Sequence, residues 1–262
     1  MVTGSRIVFH PRIDAWLLGV RDLAYFLGTF VHGVVTPPRY GREIMRQCFQ
    51  VGVRTVPLIL LTGAITGIVF TQQSRPSLEA FGAASWIPSL VVVALVRSLA
   101  PLVTALICAG KVGSSIGAEL ASMKVTEQLE ALEVSAVDPA RFLQVSRTLA
   151  TTIMMPVLTA LFGLVAFIGA YFNVNANEGA SWRAFVDEGF SSVTGLDVWS
   201  ALGRAVAFGL TIGILSCYQG FRARRGTRGV GRAANRAVVD SMLAIFVLEI
   251  LIVQVIGLIR EL

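Results

Sequence analysis

The sequence predicts an all-α integral membrane protein: five transmembrane helices preceded by an interfacial and elbow helix, with a short cytoplasmic helix between spans 2 and 3. Three observations carry this. Of 262 residues, 55% are hydrophobic and only 15% charged, and the mean hydropathy is +0.72, well outside the range of soluble domains. Several apolar runs reach the roughly 20 residues needed to cross a bilayer, so a single membrane domain uses nearly all of residues 1–262. The basic residues behind the net charge of +6 sit in the breaks between those runs, where orientation signals belong, which argues against a nucleic-acid partner.

The elements follow in chain order. Residues 13–52 are read as interfacial and elbow helices. From Ile13 to Val35 an apolar, aromatic run is interrupted by Arg21, Asp22 and His32, which fits a helix lying in the interface. This opening run does not have the pattern of a cleaved signal peptide. Pro37-Pro38 breaks the helix, and Arg39, Arg42, Arg46 and Arg54 then alternate with Ile44, Met45, Cys48 and Phe49 at helical spacing, a basic amphipathic elbow. The spans are predicted at 53–72, 87–110, 148–172, 198–217 and 238–258. Cys48, Cys108 and Cys217 are too dispersed for a disulfide framework or a metal site and read as packing residues.

Charge sets the expected orientation. The N-terminal arginines and the all-basic loop Phe221–Ala237 belong in the cytoplasm, whereas Asn173–Asp197, with Arg183 against Glu178, Asp187, Glu188 and Asp197, belongs outside. Five spans then leave the N-terminus cytoplasmic and the C-terminus on the far side. No repeat relates the halves, so a homodimer is expected to supply the symmetry. Gly63-x-x-x-Gly67 and Gly113-x-x-x-Gly117 permit close helix approach, either within the subunit or between copies.

The segment Gly117–Leu143 is too polar to cross. Within it, region 123–137 reads as a short helix with Thr126 as N-cap and Glu127 and Gln128 in the first turn. Leu129 and Leu132 share one face, Glu127, Glu130 and Glu133 line the next, and Asp138-Pro139 opens the following helix. This is either a solvated loop helix or a docking helix.

Arg97 and Glu249 are the ionisable residues set deepest in the spans, each about ten residues from its span's outer end. Charges there are costly and are usually paired or functional. The antiparallel course of spans 2 and 5 puts the two at similar depth, so they are expected to pair or to flank a polar spot. Lys111 and Arg204, nearer their span ends, are read as anchors that snorkel to headgroups. No G-x-x-x-x-G-K-[ST], H-E-x-x-H or G-x-S-x-G occurs; the nearest lookalike, Gly110-Lys111-Val112, lacks the leading glycine and the hydroxyl. The chain is therefore read as a non-enzyme, with neither metal nor cofactor of its own.

The stretch GAELASMKVTEQLEALEVSAVDPARFL resembles the signature of the MlaE family, permease subunits of MCE-type ABC systems that move lipids between bacterial membranes. Val51–Gln73 is similar to that family's first span, Ala100–Leu120 to its second, and Gly229–Val239 to the approach to its last, so the likeness covers roughly residues 40–258. It implies that Glu127, Gln128, Leu129, Glu130, Leu132 and Glu133 form a coupling helix seated on a separate cytoplasmic ABC ATPase, which binds ATP and Mg. It also implies a lipid cavity between two subunits near Phe70, Leu78 and Phe81, and a family pattern at Arg232 and Arg236. The further expectations are phospholipid transport in a bacterial inner membrane, a hexameric periplasmic MCE-domain protein and a small STAS-type regulatory subunit. The usual Arg-Glu-Leu-Gly-Pro reads Arg97-Ser98-Leu99-Ala100-Pro101 here, so a role of that carboxylate does not carry over, and Ser146-Arg147 replaces the common Pro-Arg. Two rivals remain at this stage: an ion-coupled secondary transporter that uses Glu249 as proton carrier, and a non-transporting scaffold.

Overall fold

The computed structural model describes residue 21 and residues 26–34, 41–135 and 137–261. Helix α1 covers residues 26–34. Then follow α2 (Gly41–Ala80), α3 (Ile87–Val125), α4 (Gln128–Val134), α5 (Val145–Glu178), α6 (Trp182–Ser191), α7 (Gly195–Phe221) and α8 (Thr227–Glu261). Five of these, α2, α3, α5, α7 and α8, are long and apolar enough to cross a membrane, which makes this a multi-pass membrane protein.

Each rod outruns the span predicted for it. At 1.5 Å per residue the 40 residues of α2 measure about 60 Å, about twice the hydrocarbon thickness. The basic stretch read as a separate elbow is, from Gly41 onward, the opening of that same helix. A hydropathy window marks only the part of a helix dissolved in lipid, and intrahelical hydrogen bonds carry the rod on into water. Residues 13–20, 22–25 and 35–40 of the predicted interfacial and elbow region lie outside the described residues. What is described of α1 packs inward, with Phe30 buried against Val145 and Ile214.

The bundle is held by close helix contacts at small residues. A Cβ at Gly67 of α2 would lie 1.9 Å from the Ala166 carbonyl oxygen of α5, and one at Gly63 would lie 3.0 Å from that of Phe162. Gly63 and Gly67 therefore serve packing within the subunit. At Gly117 of α3 a Cβ would lie 2.9 Å from that of Ala237 on α8. Phe162, Phe208, Ile212, Leu120 and Ile245, all fully buried, fill the centre. Cys108 and Cys217 are buried among them, as expected of packing residues.

The bundle has two differentiated ends. At one, α4 lies beside the α7–α8 turn, and Phe26 of α1 meets the rings of Tyr218 and Phe221 at the end of α7. At the other, the stretch expected as an outer loop is largely helical: α5 continues to Glu178, Gly179 turns the chain with a φ of 65°, and the Ser181 hydroxyl caps α6 by accepting from Ala184 N. The apolar side of α6 lies on α3 and α5, with Phe185 buried in ring contact with Phe167 and Tyr171.

Because α5 leaves no room at Gly67, the Gly67→Ala variant is expected to lose about 1–3 kcal/mol through overpacking. Gly231→Ala, where a Cβ meets nothing within 4 Å, should be neutral or better. Thermal unfolding in detergent, followed by loss of the monodisperse peak, distinguishes the two.

Candidate functional site

Four charged side chains form one network inside the bundle, toward the α6 end. Arg97 sits in a widened, π-type turn of α3 (Leu95–Leu99), the kind of irregularity often found at functional positions. Its guanidinium donates to both oxygens of Asp197, Nε at 2.9 Å and Nη2 at 3.1 Å, a bidentate pair. Asp197 also belongs to the capping box that opens α7, where its carboxylate accepts from the Thr194 backbone N–H at 3.0 Å and hydroxyl at 2.9 Å. Two turns further along α7, Arg204 Nη1 donates to Glu249 Oε1 of α8 at 2.7 Å and to the Arg97 carbonyl at 2.6 Å. The Ser98 hydroxyl reaches the same Glu249 oxygen at 3.5 Å.

Arg97 and Glu249 therefore do not pair directly. Equal depth brought them into one network, but each carboxylate and guanidinium has a nearer partner that depth alone does not reveal. Arg204 is not a snorkelling anchor: it is 5% exposed, against 8% for Glu249, and bridges spans 2, 4 and 5. Asp197 was assigned to the outer loop and is completely buried. Its signal was available, since Thr194-Gly-Leu-Asp197 is a helix-opening signature of a hydroxyl followed three residues on by a carboxylate. Ser98 stands where the pattern named above has a glutamate, and its hydroxyl faces the Glu249 carboxylate. Glu249 Oε2 and Arg204 Nε, both buried, have no hydrogen-bond partner among the described residues, so the network keeps one acceptor and one donor in reserve.

At the opposite end α3 runs on to Val125 and its chain turns into α4 through Thr126 and Glu127, the latter with a φ of 59°. That is the only positive φ outside glycine among the described residues. Thr126 is not the N-cap: its hydroxyl turns back to the Ser122 carbonyl at 3.0 Å and closes α3, leaving Glu127 in the cap position with no side-chain cap bond. Leu129 is buried in the subunit's own core and Leu132 packs against it, so the apolar ridge faces inward. Glu127, Gln128, Glu130 and Glu133 are exposed, joined by Val134 at 89% exposure. The expected opening of the next helix is present, with Asp138 Oδ1 accepting from Arg141 N at 3.3 Å.

The end of α3 and the start of α4 are both tied to the junction of α7 and α8. Lys124 Nζ donates to the Phe221 carbonyl at 2.6 Å, and Arg225 lies 3.4 Å from Glu130 and 3.9 Å from Glu127. Arg232 and Arg236, both exposed, line a cleft of about 160 Å³ beside Gln219, Arg222 and Arg224. Lys111 lies within a helical turn and donates to the Arg54 carbonyl, a setting unlike a phosphate-cradling loop. Phe70 and Leu78 pack half-buried against the core, while Phe81 is 85% exposed. None of these three borders the apolar cavity that lies between α3, α5, α6 and α7.

The family described as Permease MlaE matches this chain over residues 44–255. A probable ABC transporter permease protein of Rickettsia typhi is 36% identical over 249 residues, covering 94% of both chains. One from Synechocystis is 34% identical over 206 residues, 79% of this chain and 78% of the relative. The protein TRIGALACTOSYLDIACYLGLYCEROL 1 of Arabidopsis thaliana is 30% identical over 208 residues, 79% of this chain and 59% of that one.

Removing one partner of a buried ion pair leaves an uncompensated charge, so Arg204→Met is expected to cost about 3–5 kcal/mol. The double variant Arg204→Met with Glu249→Leu should recover most of that loss. Unfolding midpoints of the single and double variants in detergent check the coupling.

Proposed function

The chain belongs to the MlaE permease family, and from that premise we propose that it is the membrane-spanning subunit of an ABC transporter moving glycerophospholipid. Two copies pair in a bacterial inner membrane, N-termini cytoplasmic and C-termini periplasmic, and pass lipid through a shared cavity to or from a hexameric MCE-domain protein. The chain supplies no phosphate-binding loop, so ATP and Mg bind a separate cytoplasmic ATPase, on which a small STAS-type subunit can sit. The Arabidopsis relative carries the name of a diacylglycerol lipid, which supports a glycerolipid as cargo.

The observation that carries this reading is the build of α4. It offers an exposed acidic edge, Glu127, Glu130 and Glu133, beside the exposed Val134, on a helix whose inner face is anchored by Leu129. A helix that is rigidly seated on its own subunit and polar on its outer side suits a docking lever better than a solvated loop. Movement of the ATPase would push α4 against the end of α3 and, through Lys124 and Arg225, against the α7–α8 turn. Those three rods meet again at the charged network, so a displacement at one end loads contacts at the other. In that mechanism Arg97, Asp197, Arg204 and Glu249 hold the register of spans 2, 4 and 5 while the cavity between subunits opens and closes.

The Glu249 carboxylate is engaged by the Arg204 guanidinium at 2.7 Å, an ion pair that favours a structural part for it over that of a proton carrier.

Leu129 is unsuitable for testing the docking edge because its loss would disturb the subunit itself. The informative variant is Glu130→Arg with Glu133→Arg, on exposed positions. Co-purification should lose the ATPase while the permease stays folded and dimeric; ATPase retained at the wild-type ratio would contradict the placement of the interface.

A further inference from the structure

A cavity of about 590 Å³ lies within the single subunit, walled by α3, α5, α6 and the start of α7. It exists because its walls carry small residues: Ala100 on α3, Ala160 and Gly163 on α5, and Ala201 on α7. A Cβ at Gly163 would approach nothing closer than 3.7 Å, so the space is not closed by helix contact. Trp182 and Phe190 of α6, each about half exposed, border it.

One lining residue keeps a buried hydroxyl without a partner, as Thr104 and Thr148 also do away from the cavity. Helical threonines in lipid normally return the hydroxyl to a carbonyl one turn back, as Thr66, Thr71 and Thr152 do here. Thr159 lines the cavity, is 5% exposed, and its Oγ1 has no hydrogen-bond partner among the described residues. The site is thus an apolar hollow with one hydroxyl free to donate.

What fills it follows from where it is. Its walls, α6 apart, are rods of membrane-crossing length, so the surrounding medium is hydrocarbon. An ordered water needs two to four polar partners, and the walls offer little beyond one hydroxyl. The volume lies within the roughly 300–1,000 Å³ typical of small-molecule sites. We propose that this cavity is a binding site for one fatty-acyl group, an apolar chain whose carbonyl oxygen accepts from Thr159 Oγ1, held inside one subunit and separate from any cavity between subunits. The site does not depend on transport, and occupancy can be measured without it.

The test uses the full complex in native membranes, exposed either to phosphatidylglycerol bearing a diazirine midway along one acyl chain or to a diazirine fatty acid. Irradiation and peptide mapping should place the label on residues 159–168 and 182–190. A signal from the phospholipid arm alone assigns the site to a bilayer lipid, and one from the fatty-acid arm alone to a free acid; either supports the site. Gly163→Leu and Ala201→Leu fill the hollow from opposite walls, so one folded variant suffices, and each should abolish the label. Thr159→Val, which keeps the shape, should reduce it. Absence of label with both probes, or label unchanged in the filled variants, overturns the proposal. If lipid transport fails while this labelling persists, the transport reading falls and the acyl site stands.

Discussion

The guanidinium of Arg204 is the contact on which the arrangement of the helices depends. A charge at that depth cannot be left without a partner, and this one satisfies itself on two neighbouring rods at once, the Glu249 carboxylate of α8 and the Arg97 backbone carbonyl of α3. Small-residue contacts allow helices to slide, since apolar side chains fit many registers equally well. An ion pair inside lipid fits only one, so it fixes how far α7 stands relative to α3 and α8. The neighbouring Arg97–Asp197 pair repeats the constraint and adds the first turn of α7 to it, because the same carboxylate caps that helix.

The opposite end of these rods carries the polar helix α4, seated by Leu129 and joined to the α7–α8 turn by the Arg225–Glu130 pair. The sharp turn at Glu127, with its positive φ, lets α4 leave the axis of α3 without an intervening loop. There is little slack between the surface proposed to meet the ATPase and the rods that converge on Arg204. On the proposed reading this stiffness is what makes the short helix useful.

The number and order of the spans were legible because hydropathy is a local property, and five crossing helices appear where five apolar runs stand. Their ends were not, because hydrogen bonding carries α2 and α5 beyond the lipid. For α4 the spacing of Leu129 and Leu132 gave a shared face but not its direction; periodicity tells which residues lie together, not whether the subunit or a partner covers them. The Thr126 cap failed because the same residue type also closes a helix by bonding backward. Depth placed Arg97 and Glu249 in one neighbourhood but left open whether they pair or flank a polar spot, since choosing among partners needs the rotation of each helix about its axis. The capping signature at Thr194 could have moved Asp197 out of the loop, and with it Arg204, which lies seven residues on along the same helix face.

On the proposed reading this chain moves lipid with energy supplied by an ATPase partner. The most direct measurement is transfer of a fluorescent phospholipid between proteoliposomes holding the purified complex and a soluble MCE domain. Transfer should require both ATP and the ATPase subunit, and the chain alone should be inert under a pH gradient. Gradient-driven transfer by the chain alone, indifferent to ATP, would contradict it.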